Sequence, residues 1–446
     1  MQHVYEFGSV TDLLALHRVN PERYPYLLQS VAKGGTQARY DILFAFPGET
    51  LRLDADQLGE FDFLQRLDDC WQQQRSAISY DSSLPFSGGW FLYLGYELAG
   101  QVEPCLSLPL ARDGLPIAFA TRIPAAVIID HRQQKTFLVA EADQQVFIDL
   151  IKTDMQMLRS SSTCPTLAVT LHEQDAGHYL RGVKRIKQYI VEGDVFQVNL
   201  SRAWQGELTA NLGAADIYQR LCENNPAPFA GLALMDNAAI ISSSPERLVS
   251  VHDGNIETRP IAGTRPRGSF GENDQALKVE LLAHPKERAE HIMLIDLERN
   301  DLGRVCEPGS VEVDELMVLE SYAHVHHIVS NVRGKLRQGI TPGQVIRAVF
   351  PGGTITGCPK VRCMEIIAEL EDEGRGAYTG SMGYLNHDGS MDLNILIRTM
   401  VKNGDQISLR AGAGIVADSD PERELNETRA KARGLLLALS QKANEG

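Results

Sequence analysis

The spacing of apolar residues changes several times along this chain, and each change marks an element. Short apolar runs at Tyr40–Phe46, Gly89–Tyr93 and Ala125–Asp130 read as strands, and Phe61–Gln74 between them reads as a helix. An amphipathic helix is predicted over Tyr179–Glu192, stopping at a Gly-Asp pair. Strand-like runs follow at Phe196–Ala203, Ala230–Leu234, Ala239–Ser242 and Arg247–Val251. The sequence N-H-D-G at Asn386–Gly389 separates Gly380–Leu385 from Met391–Thr399 and predicts a hairpin. Two further helices are expected. One is P-K-E-R-A-E-H-I-M-L-I-D-L, with Ile292, Ile295 and Leu297 available for a core face; the other is E-L-N-E-T-R-A-K, entered through the loop A-G-A-G-I-V-A-D-S-D-P.

The stretch S-S-S-T-C-P at 160–165 reads as a connector between a region spanning 1–160 and a motif-dense region spanning 175–440, both packed as one compact unit. Regular β-α-β alternation is absent. The glycine-rich G-G-T-I-T-G-C-P-K has Cys358 and Pro359 where a phosphate-binding loop needs Lys and Ser or Thr, which removes ATP or GTP from consideration there. The architecture expected is α+β, with large mixed β-sheets flanked by helices, rather than doubly wound.

Composition narrows the class. With 43% hydrophobic and 23% charged residues in 446, the chain is an ordinary globular one, and no apolar run approaches the roughly 20 residues a bilayer span requires. The N-terminal residues lack a basic segment followed by an apolar one, so a cytoplasmic location is expected. Seven scattered cysteines suit reduced thiols rather than a disulfide framework. A net charge of −15 without a basic tract disfavours nucleic acid. It also means that an anionic substrate needs local positive groups, for which Arg398, Lys360, Lys431, glycine-loop amides and a bound cation are candidates.

Glu424, Glu427 and Lys431 fall on one helix face by their three- and four-residue spacing, and Glu287 and Glu290 repeat the carboxylate pair upstream. Either pair alone is commonly a solvated helix face. Converging, four carboxylates would repel one another, and a divalent cation is their natural partner. Hard oxygen donors without thiolate favour Mg²⁺.

Seven blocks, among them F-Q-V-N-L-S-R at 196–202, S-P-E-R-L at 244–248, E-T-R-P-I-A-G-T-R-P-R-G at 257–268, H-V-H-H-I-V-S at 324–330 and F-P-G-G-T-I-T-G-C-P-K-V-R at 350–362, resemble the chorismate-utilising enzymes in order and spacing over 178–440. The first 150 residues, notably L-P-F-S-G-G-W-F-L-Y-L-G-Y-E at 84–97, resemble the N-terminal part of the anthranilate synthase and aminodeoxychorismate synthase component I members. The resemblance implies an anthranilate synthase component I-like fold and Mg²⁺-dependent chemistry on chorismate. It assigns Glu290 and Glu427 to the metal, with Glu287 and Glu424 supporting through water. Glu246 takes the role of general acid toward the departing C4 hydroxyl, and His327 lies near the ring substituents. Thr354, Tyr378, Arg398, Gly412, Gly414 and Lys431 become substrate contacts, the guanidinium gripping a carboxylate and the glycines letting amides approach an anion.

Gln197 stands where isochorismate- and salicylate-forming members carry a water-activating Lys, which implies ammonia as nucleophile, supplied by a glutamine amidotransferase subunit. Ala262, in P-I-A-G-T, resembles the anthranilate-forming members; Ile355-Thr356 and the S-L-P-F-S-G-G block resemble the aminodeoxychorismate-forming ones. The expected activity is amination of chorismate to 4-amino-4-deoxychorismate, with anthranilate formation as the alternative and a non-catalytic chorismate-binding subunit as a minor one. Two segments associated with tryptophan sensing also deviate: L-L-Q-S at 27–30 from L-L-E-S, and N-P-A-P-F at 225–229 from N-P-x-P-Y.

Overall fold

The computed structural model describes residues 3–8, 11–32, 39–75, 84–142, 144–158, 169–208, 212–266, 285–321 and 325–440. Two large sheets carry the fold, flanked by helices, as the α+β reading expected. The twelve-stranded sheet runs from His3–Phe7 through Lys135–Ala140, Ala125–Asp130, Tyr40–Ala45 and Tyr26–Gln29 to Phe229–Met235, Ala238–Ser244, Thr399–Asn403, Gln406–Ile415 and Gln197–Leu208. The ten-stranded sheet places Gly89–Leu94 beside Ser381–Asn386, which continues through Met391–Asn394 to Arg247–His252. Each sheet thus draws strands from both ends of the chain. Every ladder between described strands is antiparallel, a more uniform pairing than mixed sheets.

The sheets face each other across an aromatic layer. Tyr26 and Phe44 from one sheet meet Phe91, Phe119 and Tyr384 from the other, with Tyr26 and Phe91 stacked at 4.1 Å between ring centroids. Helices cover the outer faces, so strands such as Gly89–Leu94 and Ala125–Asp130 are buried along their whole length. This double coverage explains why those strands read as continuous apolar runs instead of alternating ones. The helix after Phe61 begins at Phe63, because the Asp62 side chain accepts the Gln65 amide and caps it.

Two sequence expectations need correction. Met391–Thr399 is not one strand: Met391–Asn394 belongs to the ten-stranded sheet and Thr399–Asn403 to the twelve-stranded one, and the chain crosses between them with Arg398 at φ 54°. Ile292 does not join the core face of Pro285–Gly303. It is exposed, because the buried stripe runs through His291, Leu294, Ile295, Glu298, Asp301 and Leu302 at helical spacing and leaves residue 292 on the far side. Six cysteines among the described residues are free thiols, as expected.

A buried ion-pair network ties these parts together. Glu371, at the end of the helix Lys360–Glu371, pairs with Arg375 at 2.6 Å, each side chain only 1% exposed. Arg375 donates to the carbonyls of Asn199 (2.7 Å) and Ile355 (3.1 Å). Glu371 accepts from Arg410 (3.0 Å) and from both the amide and hydroxyl of Ser201 (2.8 and 2.9 Å). From the other sheet's side, Glu97 accepts the amides of Arg375 and Gly376 at 2.7 and 3.0 Å. Burial pushes the Glu371 carboxyl up, but the two arginines and the Ser201 donors outweigh it and hold it below the usual carboxylate range.

Removing one member strands the others in a medium that cannot solvate them. Arg375→Met is expected to lower the unfolding free energy by about 3–5 kcal/mol, read by urea denaturation. Because the Glu371 value is lowered on folding, its contribution is present above the ordinary carboxylate range and is lost as pH falls through the folded value. A loss below about 1 kcal/mol near neutral pH would show that the network does not hold the sheets.

Candidate active site

The cleft is built where the strands Gln197–Leu208 and Gln406–Ile415 pair, Asn199 opposite Gly414 and Ser201 opposite Gly412. Gln197 and Asn199 lie two residues apart on a strand and therefore share a face. A Cβ on Gly412 would sit 2.6 Å from Asn199 Oδ1 and 2.7 Å from the Tyr378 hydroxyl, and one on Gly414 would collide with the Gln197 amide nitrogen. The two glycines thus make room for the cleft's own side chains. This local requirement stands beside the amide-to-anion role expected of them.

Glu246 follows the strand Ala238–Ser244 and is 5% exposed. Burial pushes its carboxyl up to about 7, against the Thr354 hydroxyl, the Ile261 amide and the Lys431 charge, which all favour ionisation. Thr354 lies in the short 3₁₀ turn Gly353–Ile355 beside this carboxyl, without a hydrogen bond of good geometry. The carboxyl of Glu298 is the next acidic neighbour; burial, and then Asp301, raise it too. Lys360 cannot serve as a substrate cation, because it is ion-paired to Asp301 at 2.5 Å. His327 is buried in Val325–Lys335, paired through its backbone with Thr264 in the strand that begins at Ile261.

Arg398, at the crossover between the sheets, has a guanidinium without a hydrogen bond to any described residue. Burial lowers its pKa, while Tyr378 and Glu427 favour its charge. Tyr378 is 6% exposed, and burial holds it at about 12, a neutral donor at physiological pH. Lys431 donates to the Gly412 carbonyl at 3.0 Å and pairs with Glu427 at 2.8 Å on the helix Pro421–Leu439. Glu424 on the same helix is buried.

The proposed metal residues fit a hard divalent ion in donor chemistry. Glu424 and Glu427 present carboxylates from one helix and Glu290, half-buried, from another, and such an ion takes one or two carboxylates and completes its shell with water and substrate. No group of three His, Cys, Asp or Glu converges among the described residues. The side chains of Glu287 and Ala262 lie outside what is described.

Several buried polar atoms here lack a hydrogen-bond partner among the described residues: Gln197 Oε1, Asn199 Oδ1, Glu246 Oε1, Thr354 Oγ1 and the Tyr179 hydroxyl. Left dry, each costs about 1–3 kcal/mol. Sequence reasoning missed three participants. Asn199 sits inside the recognised F-Q-V-N-L-S-R block, and its same-face spacing from Gln197 was a usable signal. Glu298 falls on the buried stripe of its helix, a carboxylate where an apolar residue is expected. Tyr179, 2% exposed and close enough to Glu424, Glu427 and Tyr378 for their charge to raise its pKa after burial does, looked like an ordinary helix core residue.

A separate cavity of about 520 Å³ is lined by Gln29, Ser30, Pro228, Phe229, Arg247 and Met382, among others, and by none of Glu246, Gln197, Tyr378 or Arg398. Here the segments L-L-Q-S and N-P-A-P-F come together.

The sequence matches the chorismate binding enzyme family over residues 24–437. It is 44% identical over 383 residues to an anthranilate synthase component I-like protein of Synechocystis, covering 85% of this chain and 78% of that one. It is 41% identical over 371 residues to aminodeoxychorismate synthase component 1 of Bacillus subtilis, covering 81% and 78%. The crystal structure of anthranilate synthase component I from Streptococcus pneumoniae superposes with a TM-score of 0.79 at 32% identity, over 90% of this chain and 93% of that one. With the family matched across nearly the whole length and the sheets shared with a solved member, the chain belongs to the chorismate-binding enzymes.

Proposed function

We propose that this enzyme aminates chorismate to 4-amino-4-deoxychorismate with ammonia delivered by a glutamine amidotransferase partner. The observation that carries the amination reading is Gln197: a buried, neutral carboxamide in the cleft, which cannot take a proton from water as a hydrating enzyme requires. Relatives bearing both component I names support a glutaminase partner. For the choice of ring carbon, the Ile355-Thr356 turn supports C4. Its Ile355 carbonyl is held by Arg375 and the Thr356 hydroxyl by the Gly352 carbonyl (2.9 Å), so the turn is held in place from both sides. Ala262 favours a second reading, anthranilate formation, since a methyl group offers no amine for covalent attack on the ring.

The chain's residues divide the work. Arg398 presents a planar donor fork to a ring carboxylate, with no described residue hydrogen-bonded to its guanidinium. Tyr378 donates a neutral hydroxyl. Glu290 and Glu427 would hold Mg²⁺, which supplies charge neutralisation and orientation for an anionic substrate when bound. Glu246, protonated below about pH 7, gives its proton to the departing hydroxyl. In net terms, the nitrogen lone pair forms a C–N bond, the C–O bond breaks with its electrons, and the hydroxyl leaves as water with the Glu246 proton. The nitrogen then returns one proton to that carboxylate.

Incubating the purified chain with chorismate, Mg²⁺ and ammonium is expected to yield 4-amino-4-deoxychorismate without pyruvate, and intact-mass analysis during turnover is expected to show no adduct on the Ala262 segment. Anthranilate and pyruvate formed without an added lyase would establish the second reading; isochorismate would refute amination. At constant free ammonia, turnover is expected to fall as pH rises through about 7, where Glu246 loses its proton. Glu246→Gln is expected to cost roughly 10²- to 10⁴-fold in kcat and to abolish that limb. Glu290→Gln and Glu427→Gln are each expected to eliminate turnover with the melting temperature preserved, and near-normal activity after chelation would reject the metal assignment.

A further inference from the structure

We propose that Tyr179 is a positioning residue of the cation site, its phenol hydroxyl donating a hydrogen bond to the Glu424 carboxylate and fixing that carboxylate for the divalent ion. The proposal rests on the metal assignment made above. Tyr179 sits in the first turns of the helix Ala176–Glu192, which Asp175 caps by accepting the His178 amide.

One framework fixes this helix and the helix that carries Glu424. Lys187 of the first donates to the Ser419 carbonyl at 2.6 Å, just ahead of Pro421–Leu439. Glu173 takes Arg202 at 2.6 Å and Arg429, two residues beyond Glu427, at 2.8 Å. The Arg202 guanidinium in turn lies 5.9 Å from the centre of the Tyr179 ring. Ring and carboxylate are therefore placed by the same set of polar contacts.

The Tyr179 side chain is buried, yet its hydroxyl makes no hydrogen bond to any described residue. A ring kept only for packing would serve as well in phenylalanine, which has no oxygen to desolvate. Burial first, and then the charges of Glu424 and Glu427, hold the phenol well above its ordinary range, so it stays a neutral donor. The two carboxylates differ in what they need. Glu427 is exposed and pairs with Lys431 at 2.8 Å. Glu424 is buried, and a carboxylate out of water depends on donors from the protein. A hydrogen bond from the phenol restricts the orientations of such a carboxylate, and partners of this kind strengthen the hold of ligating groups on a metal.

The test is Mn²⁺ binding to the full chain with chorismate present and no nitrogen source, read from the electron paramagnetic resonance of free Mn²⁺. Tyr179→Phe is expected to raise the Mn²⁺ Kd by about tenfold or more, with the melting temperature within about 2 °C of the parent. Tyr189→Phe removes a hydroxyl from the same helix where it bonds Glu369 (2.8 Å), and is expected to leave the Kd within about twofold. With ammonium added, saturating Mg²⁺ is expected to return kcat of Tyr179→Phe to within about threefold of the parent. An unchanged Mn²⁺ Kd in Tyr179→Phe, an equal loss in Tyr189→Phe, or a kcat that saturating Mg²⁺ does not restore would overturn the positioning role while leaving the metal assignment intact. A parent chain that binds no Mn²⁺ would overturn both.

Discussion

The Glu371–Arg375 ion pair is the constraint on which the cleft depends. Two full charges sit where water does not reach, and such a pair is tolerated only when nearly every remaining donor and acceptor is used. Here the remaining valences go to Asn199, Ile355, Ser201 and Arg410, and the amides of Arg375 and Gly376 reach Glu97 across the molecule. These partners belong to the strand bearing the two carboxamides, the turn bearing Thr354, and the opposite sheet. One network therefore sets the positions of groups separated by more than 250 residues in sequence, from Glu97 to Arg410. Satisfied backbones beside unsatisfied side chains are the signature of a preorganised site.

The same economy governs charge. An enzyme with a net charge of −15 has to attract an anionic substrate locally. Of the cations expected to help, Lys360 is consumed by Asp301 and Lys431 is held between Glu427 and the Gly412 carbonyl. Arg398 alone among them makes no hydrogen bond to a described residue. Its lowered pKa reflects burial, so substrate binding would restore interactions that folding removed. Glu246 shows the converse effect. Burial keeps it protonated near neutrality, and its own charge would in turn oppose ionisation of Glu298.

Much of this was legible in sequence, and the failures have physical reasons. Gly89–Leu94 and Ala125–Asp130 read as strands because both faces are buried, and of the residues that the motif blocks named, Glu246 lies within reach of the Lys431 charge and Arg398 of Tyr378 and Glu427. Met391–Thr399 was misread because local pattern carries no record of which sheet a strand joins; the break lies at a residue with positive φ that is not glycine. Ile292 was misassigned because an apolar residue near a helix start looks like core until the buried stripe is traced through His291, Leu294 and Glu298. Arg375 and Glu371 look in sequence like two surface charges four apart, and only the third dimension reveals that they are buried.

The proposed chemistry belongs around Glu246, Gln197 and Arg398 rather than in the 520 Å³ cavity between Gln29 and Arg247. The most direct test is a crystal structure of the chain with chorismate and Mg²⁺ at a pH that slows turnover. The expected result is a ring carboxylate on Arg398, the C4 hydroxyl facing Glu246, and the ion on Glu290 and Glu427. Chorismate found instead in the cavity lined by Ser30, Phe229 and Met382, with the Glu246 cleft unchanged, would contradict it.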